Sequence, residues 1–174
     1  MTRFLIPVSI FCLFLVEGTW FEILFPQENE SGWVWMPRFA LIGVVLTSIY
    51  RGPVAGVWAG VFVGFLYDFT YTQILGIYTF CFGFIAYMSS YSLPVVRNSY
   101  GWQWLIIFCA LFVFELIIYF IYFLLGIAGL SFGEFLVKRM IASWLINGAA
   151  ALLLLVPFRR IFDWIENQEK IRQR

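Results

Sequence analysis

Four polar side chains fall inside segments that are otherwise almost wholly apolar: Glu17, Glu115, Arg139 and Asn147. A carboxylate in hydrocarbon costs on the order of 2.5–3.5 kcal/mol on insertion scales, so Glu17 and Glu115 must face protein groups or carry a proton. By depth along the chain, Arg139 stands as the partner of Glu17, and Asn147 as the partner of Glu115. Two chemistries fit these residues. One is an ion or substrate site. The other is a polar clamp between helices, or a polar contact with another protein's span. The clamp is favoured, because no second mid-membrane carboxylate lies close in sequence and the chain has no histidine.

That missing histidine also removes the commonest general base, metal ligand and proton relay. Ser89, Ser90 and Ser92 have no lysine or histidine near them, and no nucleophile-elbow, zinc-protease or phosphate-loop spacing occurs. Cys12, Cys81 and Cys109 are dispersed in apolar runs, which suits small hydrophobes and not a disulfide or metal framework. The expectation is a protein without catalysis, cofactor or metal.

A third feature is Gly56-Val-Trp-Ala-Gly60-Val-Phe-Val-Gly64-Phe-Leu-Tyr-Asp68, with Gly76 following. On a helix, positions four apart share a face, so the three glycines form one smooth stripe that ends in Asp68. In a membrane such a stripe lets a neighbouring backbone come close. The neighbour is either another helix of this chain or the span of a partner. Asp68 would hydrogen-bond a partner's backbone or cap the turn before Gly76.

The elements that carry these residues follow from composition. Of 174 residues 63% are hydrophobic and only 12% charged, too few to cover a water-soluble surface. The mean hydropathy of +0.89 points the same way, to an all-α integral membrane protein. A net charge of +1 leaves no basic face for nucleic acid. Apolar runs predict six spans with short loops, at about residues 4–25, 36–50, 53–69, 74–93, 102–125 and 135–156. Pro26 ends the first, and a polar turn from Gln27 to Trp35 carries Glu28 and Glu30; Pro157 closes the sixth. Residues 1–158 form one membrane domain, and 159–174 an amphipathic tail. The tail is read chiefly as a helix along the membrane surface, with docking to a cytoplasmic partner as the alternative.

Six spans place both termini on one side. That side would hold eight of the Lys and Arg residues, against Arg38, Lys138 and Arg139 opposite, so both termini are expected in the cytoplasm.

Pro37 at the opening of the second span, the Gly-x-x-x-Gly third span ending Gly64-Phe-Leu-Tyr-Asp68, and Leu75-Gly76 together resemble the bacterial rod shape-determining MreD family. Length, short loops and basic tail agree over the whole chain, while the specific motif covers about residues 37–76. The resemblance implies a non-catalytic subunit of the wall-elongation machinery in the bacterial inner membrane. It implies an MreC-like single-span partner, with MreB filaments and a RodA-type wall synthase acting alongside and membrane lipids around it. It further implies a fold similar to the S components of energy-coupling-factor transporters. On this reading Gly56, Gly60, Gly64 and Asp68 form the surface for the partner span. The alternative is a small-molecule-binding transporter subunit, with a pocket lined by aromatics and groups such as Glu115 and Asn147.

Overall fold

The computed structural model describes residues 2–24, 35–91 and 94–172. All of the expected Gln27–Trp35 turn but Trp35, the end of the fourth span at Leu93, and Arg174 lie outside these. Among the described residues the chain is helical throughout its ordered elements: α1 (Thr2–Leu24), α2 (Phe39–Arg51), α3 (Pro53–Tyr71), α4 (Ile77–Ser90), α5 (Pro94–Asn98), α6 (Tyr100–Leu124), α7 (Phe132–Glu134), a π-helical turn (Phe135–Met140) and α8 (Ile141–Arg172).

Three of these helical stretches are long and apolar enough to cross a bilayer: Pro53–Tyr71, Tyr100–Leu124 and the continuous Phe132–Ile171. Shorter apolar helices stand beside them. The described residues are thus all-helical, with the helix lengths and composition of a membrane protein.

The organising element is α2. Every side chain from Ala40 to Tyr50 is buried, and α1, α3, α4, α6 and α8 all pack around it. A helix apolar on all sides belongs in the middle of a bundle. Its 13 residues give about 20 Å of rise, well short of the ~30 Å hydrocarbon thickness. One of its ends must therefore lie inside the bundle.

α3 and α4 form the most extensive helix pair. Gly52, at φ +83°, allows α2 to pass into α3 through a single residue, and Pro53 opens the new helix where its missing N–H is no loss. Tyr67, Phe82 and Phe114 then pack in tilted and edge-to-face contacts across α3, α4 and α6, with ring centroids 4.9–5.0 Å apart.

The last helix departs from expectation. Ser131 and Glu134 form a reciprocal capping box at its start, and it runs through Pro157 to Arg172 without a break. The reason is packing: Phe158, Phe162 and Ile165 are buried, and Phe162 stacks on Tyr50 at 4.7 Å. Arg51 pairs with Glu169 at 2.8 Å, and Arg97 with Glu166. The Phe158, Phe162 and Ile165 face of the last helix thus folds onto the chain's own bundle, with Phe162 on Tyr50 of α2, while Trp164 and Ile171 stay exposed.

A buried charge cluster as the candidate functional site

The chain enters α2 through Trp35–Arg38, a non-helical segment whose Pro37 and Arg38 are buried. Irregular backbone at membrane depth is tolerated only where protein satisfies it. Asn147 does so from α8. Its carboxamide oxygen accepts the Arg38 N–H at 2.6 Å, and its NH2 donates to the Met36 carbonyl at 2.9 Å. Ser143, one turn earlier on the same face, donates to the same carbonyl at 3.1 Å. The pair imitates a strand of backbone.

The Arg38 side chain turns inward. Its Nε donates to Glu115 Oε1 at 3.0 Å, and its guanidinium lies 5.4–5.6 Å from the ring centroids of Tyr67, Tyr78 and Phe114. The other Glu115 oxygen accepts Arg139 Nη2 at 2.9 Å and Nε at 3.2 Å. Glu115 is 1% exposed, so one carboxylate holds two guanidiniums together out of water. Such a triad is strongly destabilised when one member is removed, because the remaining charge is left buried without a counter-ion.

Glu17 lies on the far side of Arg38, from α1. It accepts the Tyr67 hydroxyl and, at 3.2 Å, the Ala40 N–H at the start of α2. It also acts electrostatically on Arg38. Asp68 does the corresponding work for α4. Fully buried, it accepts the N–H groups of Gly76, Tyr78 and Thr79 at 2.8–2.9 Å, and the Thr79 hydroxyl at 2.6 Å. Both carboxylates meet the exposed N–H groups and positive dipole end of a neighbouring helix.

The structure brings together most of the polar residues singled out in the sequence, but in different pairs. Arg139 binds Glu115, not Glu17, because α1 packs on α2 and α3 whereas the π-helical turn continues into α8, which packs on α6. Asn147 serves the backbone beside Arg38, not Glu115. Of the two roles open to Asp68, the cap is the one observed.

The glycine stripe is covered by the chain's own helices. A Cβ on Gly60 would lie 2.7 Å from the Phe82 carbonyl oxygen, and one on Gly64 2.5 Å from Thr79 Cα. At Gly56 it would meet Ser48 of α2, with Cα at 2.8 Å. A partner span on Gly56, Gly60 and Gly64 would have to displace α4 and α2. That expectation gives way to internal packing.

Arg38, Tyr67, Tyr78 and Ser143 were not singled out in the sequence. The available signal was the second apolar run: too short to reach both faces, it requires its flanking arginine to sit below the surface. Glu115 and Asn147 are buried and hydrogen-bonded, so neither is free to line a vitamin-sized pocket. A cavity of about 260 Å³ does open beside Arg139 and Tyr78. No cluster of His, Cys, Asp and Glu suited to a metal ion occurs among the described residues.

Comparison with known proteins gives a consistent result. The model of a family described as rod shape-determining protein MreD matches residues 2–164. The rod shape-determining protein MreD of Bacillus subtilis (strain 168) is 31% identical over 163 residues, covering 93% of this chain and 94% of that protein. No solved structure matches the chain.

Proposed function

The chain belongs to the MreD family of rod shape-determining proteins, and from that membership we propose that it is a non-catalytic membrane subunit of the bacterial wall-elongation assembly. The family is a shape-determining one and not a known family of enzymes. The proposal is that the bundle holds a single-span partner of the MreC type by helix contact within the bilayer. MreB filaments and a RodA-type synthase would be linked through that partner. All six apolar helices would cross or enter the membrane, with both termini in the cytoplasm. Of the three cations on the opposite side, Arg38 and Arg139 are bound into the cluster with Glu115, which leaves Lys138 as the exposed one there.

One observation carries the scaffold reading: the membrane-embedded polar groups are spent on joining helices. Glu17 and Asp68 cap α2 and α4, Asn147 holds the entry to α2, and Glu115 ties α6 to Arg38 and Arg139. What remains outward is apolar helix surface. In lipid, association rests on close packing and not on a hydrophobic driving force, so the partner needs a shaped surface. The groove between α1 and α3 offers one. It measures about 510 Å³, is walled by Ile6, Pro7, Trp58 and Phe62, and has Thr47 of α2 among its lining residues.

The test is tagged purification from the native membrane in mild detergent, with mass spectrometry of what accompanies the protein. An MreC-like single-span protein should accompany wild type and Leu153→Trp, a substitution on an exposed position of α8. It should be lost with Ala55→Trp, which fills the α1/α3 groove. Transporter ATPases in its place would overturn the scaffold reading in favour of a small-molecule-binding transporter subunit.

A further inference from the structure

The charge cluster reaches an opening at a single residue. Arg139 is 18% exposed where Glu115 is 1% exposed, and its side chain lines the cavity of about 260 Å³ together with Met36, Tyr78, Tyr122, Gly129 and Phe135. Its Nε and Nη2 are committed to Glu115, while among the described residues neither its Nη1 nor the Tyr122 hydroxyl has a hydrogen-bond partner. The cavity therefore meets a cation with a free donor, and the carboxylates lie behind it. A planar guanidinium with unused N–H groups matches the geometry of a phosphate.

Tyr119 lines this cavity and also a second one, a groove of about 560 Å³ on the outer face of α6. Ile117, Phe120, Phe123 and Phe132 make that groove almost wholly apolar. A mostly apolar cavity that holds one cation and three tyrosines, sharing a wall with an apolar groove along a membrane helix, suits an amphiphile. A backbone departure from α-helix coincides with it, since Arg139 sits on the π-helical turn, and such turns are frequent at functional sites.

We infer that this end of the bundle binds an anionic membrane lipid, its phosphate head group on Arg139 and Tyr122 and an acyl chain along the α6 groove. The site rests on membrane placement alone and is independent of the partner-span reading.

Native mass spectrometry of the purified full chain in mild detergent tests it, with dioleoyl-phosphatidylglycerol and dioleoyl-phosphatidylcholine as probes. The wild type should retain one phosphatidylglycerol about tenfold more tightly than phosphatidylcholine, whose choline cation offsets the charge of the phosphate that Arg139 meets. Arg139→Gln should abolish that preference and Arg139→Lys should keep most of it. Gly129→Phe should fill the cavity and leave the hydrogen bonds of the charge cluster able to form, because Gly129 makes none of them and nothing lies within 4 Å of a Cβ there. That variant carries the test if Arg139→Gln fails to fold. Equal binding of the two lipids by wild type, or an unchanged preference in Gly129→Phe, overturns the inference. Displacement of the lipid by millimolar inorganic phosphate would overturn the amphiphile and assign the cavity to a soluble anion; retention of the lipid supports it.

Discussion

At the scale of single residues, the polar groups of this membrane protein differ in what their loss would expose. Replacing Glu115 with Gln removes the carboxylate shared by Arg38 and Arg139 and leaves two guanidiniums without it. Breaking a buried ion pair by removing one partner costs about 3–5 kcal/mol, so Glu115→Gln should sharply lower the temperature at which the detergent-purified protein loses its monodisperse form. Arg139→Gln should lower it less, because Arg139 is partly exposed and Arg38 keeps Glu115 paired. Asp68 gives a second comparison. Asp68→Ala leaves three backbone N–H groups and the Thr79 hydroxyl without their acceptor, at about 1–3 kcal/mol for each buried group not rescued by water. Asp68→Asn keeps a carbonyl oxygen and should fall between alanine and wild type in the same melting assay.

At the scale of elements, the closest helix contact depends on the absence of side chains. Gly60→Leu and Gly64→Ala push atoms into the backbone of α4, so both should reduce the amount of folded protein recovered from membranes. Gly129→Ala meets nothing within 4 Å and should leave recovery unchanged. The tail is held differently. Its exposed ion pairs contribute little each, and its buried Phe158, Phe162 and Ile165 contribute more. Lys170 and then Arg97 hold the Glu166 carboxyl below the ordinary glutamate range. A carboxylate with a depressed value contributes above its unfolded value and loses that contribution as pH falls through the folded one. Tail docking should thus be constant between about pH 6 and 8 and weaken only below the glutamate range. Limited proteolysis, with trypsin near neutrality and pepsin in acid, would report the release of the tail. Phe162→Ala should release it at every pH.

At the scale of the whole molecule, the bundle is a set of helices clamped by a buried cluster of Arg38, Glu115 and Arg139. Its class and much of its helix order were legible from the apolar runs, because a membrane fixes the length and composition of its helices. Glu17, Glu115, Arg139 and Asn147 stood out for the same reason: polar groups are rare there. Their pairing was not legible, since depth along a helix says nothing about which helices are neighbours around the bundle axis. Arg139 therefore went to the wrong carboxylate. Arg38 was hidden because a residue beside a short apolar run reads as a loop until the run is seen to be buried on every side. The glycine stripe was visible as a close-packing surface, but small residues do not say whether the neighbour belongs to the same chain. Pro157 misled because tertiary packing of Phe158 and Phe162 outweighs a local helix breaker.

We propose that this bundle seats a partner's single span in the groove between α1 and α3. A photo-crosslinking amino acid at Ala55, and separately at Leu153, in living rod-shaped cells tests it most directly. The account predicts an adduct with a single-span protein of the MreC type from Ala55 and none from Leu153. An adduct with that protein from Leu153, with Ala55 giving none, would contradict it.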